Sequence, residues 1–198
     1  MSAPTREVEL KARVDDVNAA RLSLEAAGAV LVFDGRLRDR VYDTVARTLF
    51  AQDMVLRLRC YKNEMGETAH LDWKGPTSRE NGFKIRPELT AGVSDPDVLA
   101  AMLDRLGYVV VTSIDRDIVQ YELSSDEHET VVIRFEMYPR MDTLVEVEGA
   151  PSRIEDAIRV LKIPRASFSA DRLTDFVRAF EARTGRRAAI CDSQLTTE

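Results

Sequence analysis

The sequence predicts an α+β fold in which eight antiparallel strands close into a barrel, with helices flanking it. Three observations predict it. Runs with a period of two dominate the chain, and that period sends successive side chains to opposite faces of a strand. The runs come mostly as hairpins, which favours antiparallel pairing. Eight such strands can close on themselves and remove their exposed edges.

The elements follow in order. "EVELKARV" (7–14) sets Val8, Leu10, Ala12 and Val14 on one face and Glu7, Glu9, Lys11 and Arg13 on the other. A helix over 17–27 has apolar residues at Val17, Ala20, Leu24 and Ala27 and is stopped by Gly28. "VLVFDGRLRDRVYDT" (30–44) reads as one long strand, or as two with a bend at Gly35. "MVLRLRCYK" (54–62) alternates cleanly, and "TAHLDWKG" (68–75) follows the turn "NEMGE". "FKIRPELTAGV" (83–93) alternates again, with Pro87 pushing it towards an edge or an irregular strand. The helix "SDPDVLAAMLDRLG" has Ser94 or Asp95 as its N-cap, Pro96 in its first turn and Gly107 as its stop. "YVVVTSIDRDIVQYEL", "ETVVIRFEMY" and "TLVEVEG" supply three more strands, and helices over 152–161 and 169–183 close the chain. A single domain over 1–185 is expected, with 186–198 as a flexible tail.

One strand with a charged face is commonly a surface strand with a solvated side. Here the pattern repeats. Arg57 and Arg59, Asp72 and Lys74, Lys84, Arg86 and Glu88, Arg134 and Glu136, and Glu146 and Glu148 each share a face opposite apolar neighbours. Neutral polar residues are scarce on those faces. Gathered round one axis, they make a charged tunnel. Buried charges are costly unless paired or ligated. Arginines would grip a polyphosphate through bidentate hydrogen bonds. Clustered carboxylates suit Mg²⁺ or Mn²⁺, hard ions that take oxygen ligands. A basic cradle with a carboxylate-held metal is equipment for phosphoryl or nucleotidyl transfer.

The 198 residues suffice for one sizeable core. A formal net charge of -6 argues against general binding to nucleic acid or membranes, which favours a basic surface. No apolar run is long enough to span a membrane, and no signal peptide opens the sequence. Cys60 and Cys191 lie far apart and give neither a metal-binding spacing nor a convincing disulfide framework, which points to a reducing cytoplasm. His70 and His128 are isolated, although His70 shares a face with Asp72 and Lys74. "WKGP" is not a phosphate-binding P-loop, since the G-x-x-x-x-G-K pattern is absent.

"EVELK", "VLRLR", "WKGP", the R-P-E of 86–88 and "VEVE" (145–148) occur in that order. In this the sequence resembles the CYTH superfamily, the triphosphate tunnel metalloenzymes, and within it the class IV adenylyl cyclases and related bacterial triphosphatases. The resemblance implies an eight-stranded tunnel for a linear triphosphate. It implies that Glu7 and Glu9 hold metal, together with the later acidic positions Glu136, Glu146 and Glu148. Lys11, Arg57, Arg59, Lys74, Arg86 and Arg116 become phosphate-binding bases, with Arg134 as a further one, and Lys11, Arg57 and Arg59 take part in catalysis. The chain departs from the family at Ile118, where a second base is frequent, with Arg134 in phase to restore the charge. It departs also at Val41, usually Tyr, and at Asp142, frequently Gly.

The reading is a metal-dependent hydrolase of tripolyphosphate or of a nucleoside or thiamine triphosphate. The alternative is an adenylyl cyclase that makes cyclic AMP and pyrophosphate. A non-catalytic polyphosphate or nucleotide binder is disfavoured, because a pure anion binder gains nothing from clustered glutamates. The partner expected is the small-molecule substrate, not nucleic acid or membrane, and the state a monomer or homodimer.

Overall fold

The computed structural model describes residues 4–124 and 129–195. His128 and the last three residues of the expected tail lie outside the described residues. The strands are β1 (Thr5–Arg13), β2 (Val30–Thr44), β3 (Val55–Asn63), β4 (Gly66–Lys74), β5 (Ser78–Glu80), β6 (Phe83–Val93), β7 (Tyr108–Ser124), β8 (Thr130–Met137) and β9 (Leu144–Glu148). The helices are α1 (Val17–Ala26), α2 (Thr48–Ala51), α3 (Pro96–Arg105), α4 (Pro151–Leu161) and α5 (Leu173–Thr184).

Hydrogen bonding runs β1-β9-β8-β7-β2-β3-β4-β6, and β6 pairs back onto β1. The result is a closed, antiparallel, eight-stranded barrel, and β5 is a short extra strand on β6. Gly35 does not break β2, which pairs with β7 from Val30 to Thr44 with shifts in register near both ends.

The hydrophobic core lies outside the barrel rather than within it. Leu10, Ala12, Ile133, Phe135, Val145 and Val147 point outward from their strands, and α1 and α4 cover them. Helix α4 buries Ile154, Ala157, Ile158 and Leu161, a spacing that puts four side chains on one helical stripe. Helix α1 adds Ala20 and Leu24. A second cluster joins Tyr42, Leu58 and Leu103, so that α3 covers the opposite wall. With the apolar phase facing the helices, the period of two sends the charged phase inward.

Asp16 caps α1 by accepting from the Ala19 N–H at 2.9 Å, and of the two residues expected to cap α3 Asp95, not Ser94, accepts from the Val98 N–H at 3.0 Å. Two short elements escape a periodicity reading, β5 and α2. The buried Asp43 carboxylate starts α2 by accepting from the N–H groups of Thr44, Leu49 and Phe50 at 2.7, 3.0 and 3.0 Å. The last helix begins at Leu173 rather than at Ser169. Ser169 exchanges two backbone hydrogen bonds with Lys11, at 2.9 and 2.8 Å, and that bridge holds it extended.

The segment expected as a flexible tail is seated on the barrel as far as it is described. The Asp115 N–H donates to the Ile190 carbonyl at 2.8 Å, and Arg140 and Ala189 exchange a pair of backbone bonds. Ala189 is fully buried and Cys191 nearly so. The short apolar run at 188–191 supplies this anchor. Among the described residues no helix is long and apolar enough to cross a membrane.

Candidate functional site

The barrel axis is a cavity of about 340 Å³. Every strand of the closed barrel except β2 and β9 contributes a base to its wall, and β1, β6 and β9 contribute glutamates. Eight basic and six acidic side chains line it, a net of two positive charges, and Val55 is its one aliphatic residue among those described. Of the positions expected from sequence, Glu7, Glu9, Lys11, Arg57, Arg59, Lys74, Arg86, Arg116, Arg134, Glu146 and Glu148 meet here.

Register explains how these charges can be buried. Lys11 faces Glu146 across β1 and β9, and Arg134 faces Glu146 across β8 and β9. The Glu146 carboxylate therefore accepts from both, at 2.5 Å from Lys11 Nζ and 2.6 Å from Arg134 Nη1. Burial alone would push this carboxyl up, but Lys11 and Arg134 outweigh it and hold it well below the usual range. Lys74 pairs with Glu7 and also reaches Glu88 at 3.3 Å. Lys84 pairs with Glu9. Arg57 donates to Asp72 through Nη2 at 2.8 Å, and Thr90 donates to the other Asp72 oxygen at 3.0 Å. Arg86 is fixed by backbone carbonyls, those of Asp53 at 2.6 Å and Gly75 at 2.7 Å. A Cβ on Gly75 would stand 2.6 Å from Pro87 and 2.9 Å from Trp73, so the "WKGP" turn needs glycine for close approach.

Asp39 holds three of these bases from behind the wall, and periodicity does not single it out. Its carboxylate is fully buried. It accepts from Arg59 Nε and Nη2 at 2.9 and 3.1 Å and from Arg116 Nη1 at 3.1 Å, with Arg57 Nη1 at 3.5 Å. Burial pushes this carboxyl up, yet Arg59, Arg116 and Arg57 overcome it and hold it well below the usual carboxylate range. Lys84, Asp72 and His70 also line the cavity. The sequence puts all three on charged faces but gives no reason to rank them as ligands.

Glu136, the remaining acidic position expected from sequence, lies beside the axial cavity, with Lys11 Nζ at 3.7 Å. It does not line the axial cavity. One oxygen accepts from Arg116 Nε at 2.7 Å and the other from the Tyr138 hydroxyl at 2.8 Å. Its β8 register, opposite Leu144, leaves it beyond the last acidic pair of β9.

Glu148 stands apart in another way. Among the described residues it has no hydrogen-bond or ion-pair partner, and in register it faces a second acid, Glu9. Burial, then Glu146 and Glu7, pushes its carboxyl up to about 7. The donor chemistry fits a hard divalent cation: all-carboxylate, with one half-buried acid lacking a base. No group of three or more acidic, histidine or cysteine side chains among those described is placed to hold a metal ion by itself. Mg²⁺ asks for none, since it commonly takes one or two carboxylates and completes its shell with water and substrate phosphates.

A closed antiparallel barrel with its core outside and paired charges within defines a tunnel protein with a charged axis. The chain belongs to the CYTH domain family, whose model matches residues 5–156. Its fold is shared with a candidate adenylate cyclase from Vibrio parahaemolyticus, at 19% identity and a TM-score of 0.74 over 88% of this chain and 99% of that one. A protein from Pyrococcus horikoshii matches at 20% identity and a TM-score of 0.69 over 87% and 98% of the two chains. A candidate adenylyl cyclase from Hippeastrum, described as having a dominant triphosphatase activity, matches at 17% identity and a TM-score of 0.63 over 87% and 96%. None of the curated proteins compared matches the chain.

Proposed function

We propose that this protein binds a linear triphosphate along the tunnel axis and hydrolyses it with the help of Mg²⁺ or Mn²⁺. One observation carries the reading: bases from six strands converge on a cavity with almost no apolar wall. Lys11, Arg57, Arg59, Lys74, Arg86, Arg116 and Arg134 are assigned to the phosphate oxygens, and Lys84 is added to them. Their present acidic partners keep them in place, so little ordering is needed when phosphate arrives. Lys11, Arg57 and Arg59 stabilise the charge that shifts onto the phosphate oxygens as the bond breaks. Glu7, Glu9, Glu146 and Glu148 are the carboxylates assigned to the cation. Such a cation supplies Lewis-acid polarisation of a phosphoryl oxygen. Glu136 is assigned to fixing Arg116 instead.

Cyclisation of ATP is the second reading. It would use the same cradle, with the ribose 3′-hydroxyl as nucleophile and pyrophosphate as leaving group. The Vibrio neighbour's description favours it, and the Hippeastrum neighbour's dominant triphosphatase activity favours hydrolysis.

Calorimetric titration of a non-hydrolysable triphosphate tests the cradle. Arg57→Ala and Arg59→Ala are each expected to weaken binding by about 1.5–3 kcal/mol, the range for hydrogen bonds to charged groups. Arg→Lys restores part of it, because a point charge lacks the two-pronged geometry. Arg21 is the control, since on α1 it donates to the Tyr121 hydroxyl away from the axis. Unchanged affinity in both alanine variants contradicts the assignment.

A further inference from the structure

Nearly every titratable side chain on the axial wall already has a partner. Glu7, Glu9 and Glu88 pair with lysines, Glu146 with Lys11 and Arg134, and Asp72 with Arg57. Tyr61 accepts from Arg59 Nη1 at 3.1 Å. Two groups stand outside this pattern: Glu148, already assigned to the cation, and His70. His70 lines the cavity and is half-buried, and among the described residues it makes no hydrogen bond and no ion pair. Packing holds its ring instead. It lies 5.8 Å from the Tyr61 ring, centroid to centroid, and Tyr61 stands edge-on to Phe33 at 5.4 Å. Its register partner on β6 is Gly92, where a Cβ would meet nothing within 4 Å. Directly opposed residues share a face of the sheet, so the inner face beside the imidazole is open.

We propose that His70 is the general base of the hydrolysis, the group that takes the proton from the attacking water. The inference rests on the hydrolytic reading of the tunnel and gives that reaction its proton acceptor. On β4, His70 continues the inner row of Lys74 and Asp72 one step further along the axis. A linear triphosphate laid along that row brings a terminal phosphoryl to its level. The other wall residues are poor acceptors. Arginine keeps its proton, and the paired carboxylates already accept from bases. A neutral imidazole has one ring nitrogen free to accept, and it changes charge in the range where such chemistry runs. The charged and titratable groups on the wall around it are Arg59 and Tyr61 on β3, Asp72 on β4, Glu88 on β6, Arg134 on β8 and Glu148 on β9. In the step itself the water oxygen bonds to the terminal phosphorus. The bridging P–O bond breaks, and its electron pair stays with the diphosphate. The proton of the water passes to the His70 ring and from there to solvent, which reaches this half-buried side chain. Orthophosphate and diphosphate leave.

The test is steady-state hydrolysis of tripolyphosphate with Mg²⁺ as a function of pH, with calorimetric binding of imido-bridged inorganic triphosphate alongside. His70→Gln is expected to lower kcat at least about 100-fold, the lower end for a positioned proton acceptor. Its affinity for the imido analogue should stay within about twofold of wild type, since the lost interaction belongs to the transition state. The acid side of the kcat profile, between about pH 5 and 8, should flatten. Added imidazole should restore part of the rate to His70→Ala and add nothing to the wild type. A wild-type kcat and an unchanged profile in His70→Gln overturn the inference and leave the tunnel reading standing. A loss of affinity that accounts for the whole loss of rate overturns it too, because His70 would then be a phosphate ligand. No hydrolysis of tripolyphosphate by the wild type overturns the hydrolytic reading and this assignment together.

Discussion

Asp39→Asn is expected to lower the unfolding free energy at pH 7 by about 3–5 kcal/mol, the cost of removing one partner from a buried ion pair. Asp39 is fully buried, and three guanidiniums from two strands converge on it. Without its charge they face one another at short range. The same carboxylate predicts the acid limb of the stability curve. Its folded value lies well below its ordinary one. Its contribution is therefore present above the unfolded value, about 3.9, and is lost as pH falls through the folded value. Wild-type stability should fall below about pH 4, and the Asn variant should show a shallower fall over the same range. Urea unfolding at pH 7 and from pH 5 to 2.5 reads both effects. A loss under about 1 kcal/mol with an unchanged acid slope contradicts the role given to Asp39.

Glu148→Gln is expected to cost at least about 100-fold in metal-dependent turnover, since even groups behind a metal ligand are worth about 10–100-fold. Stability of the metal-free protein at pH 8 should not fall. Glu148 faces Glu9 in register and lies beside Glu146, with no base of its own. Replacing a half-buried, repelled carboxylate with a neutral amide removes a cost to folding. Turnover against Mg²⁺ concentration, measured alongside urea unfolding, separates the two effects. Full turnover at saturating Mg²⁺ removes Glu148 from the assignment. A loss of turnover that tracks a loss of folded protein does the same.

Much of the barrel is legible in the sequence because apolar and charged phases alternate in β1, β3, β6, β8 and β9. The alternation of Glu7, Glu9 and Lys11 against Val8, Leu10 and Ala12 separates tunnel from core without further information. Asp39 is not legible in this way. In "GRLRDRVYDT" the conspicuous phase is Arg36, Arg38 and Arg40, and those side chains pair with Asp117, Asp192, Glu67 and Asp115 away from the axis. The inner phase reads Leu37, Asp39 and Val41, which resembles a core face carrying one acid. Only the pairing of Asp39 with Arg59 across β2 and β3 shows why that acid is there. Glu136 has the expected phase and type, and its level along the barrel sets it against Arg116, Tyr138 and Lys11. Level depends on register between strands distant in sequence, which periodicity within one strand does not encode.

Incubation of the purified protein with ATP and with tripolyphosphate, each with Mg²⁺ or Mn²⁺ and again with EDTA, tests the central claim most directly. Phosphorus NMR identifies the products. Metal-dependent release of orthophosphate, abolished by EDTA and restored by added metal, is the predicted result. Cyclic AMP with pyrophosphate in place of orthophosphate would assign the cyclase reaction instead. Binding of either triphosphate without turnover, or full turnover in EDTA, would contradict metal-dependent hydrolysis in the tunnel.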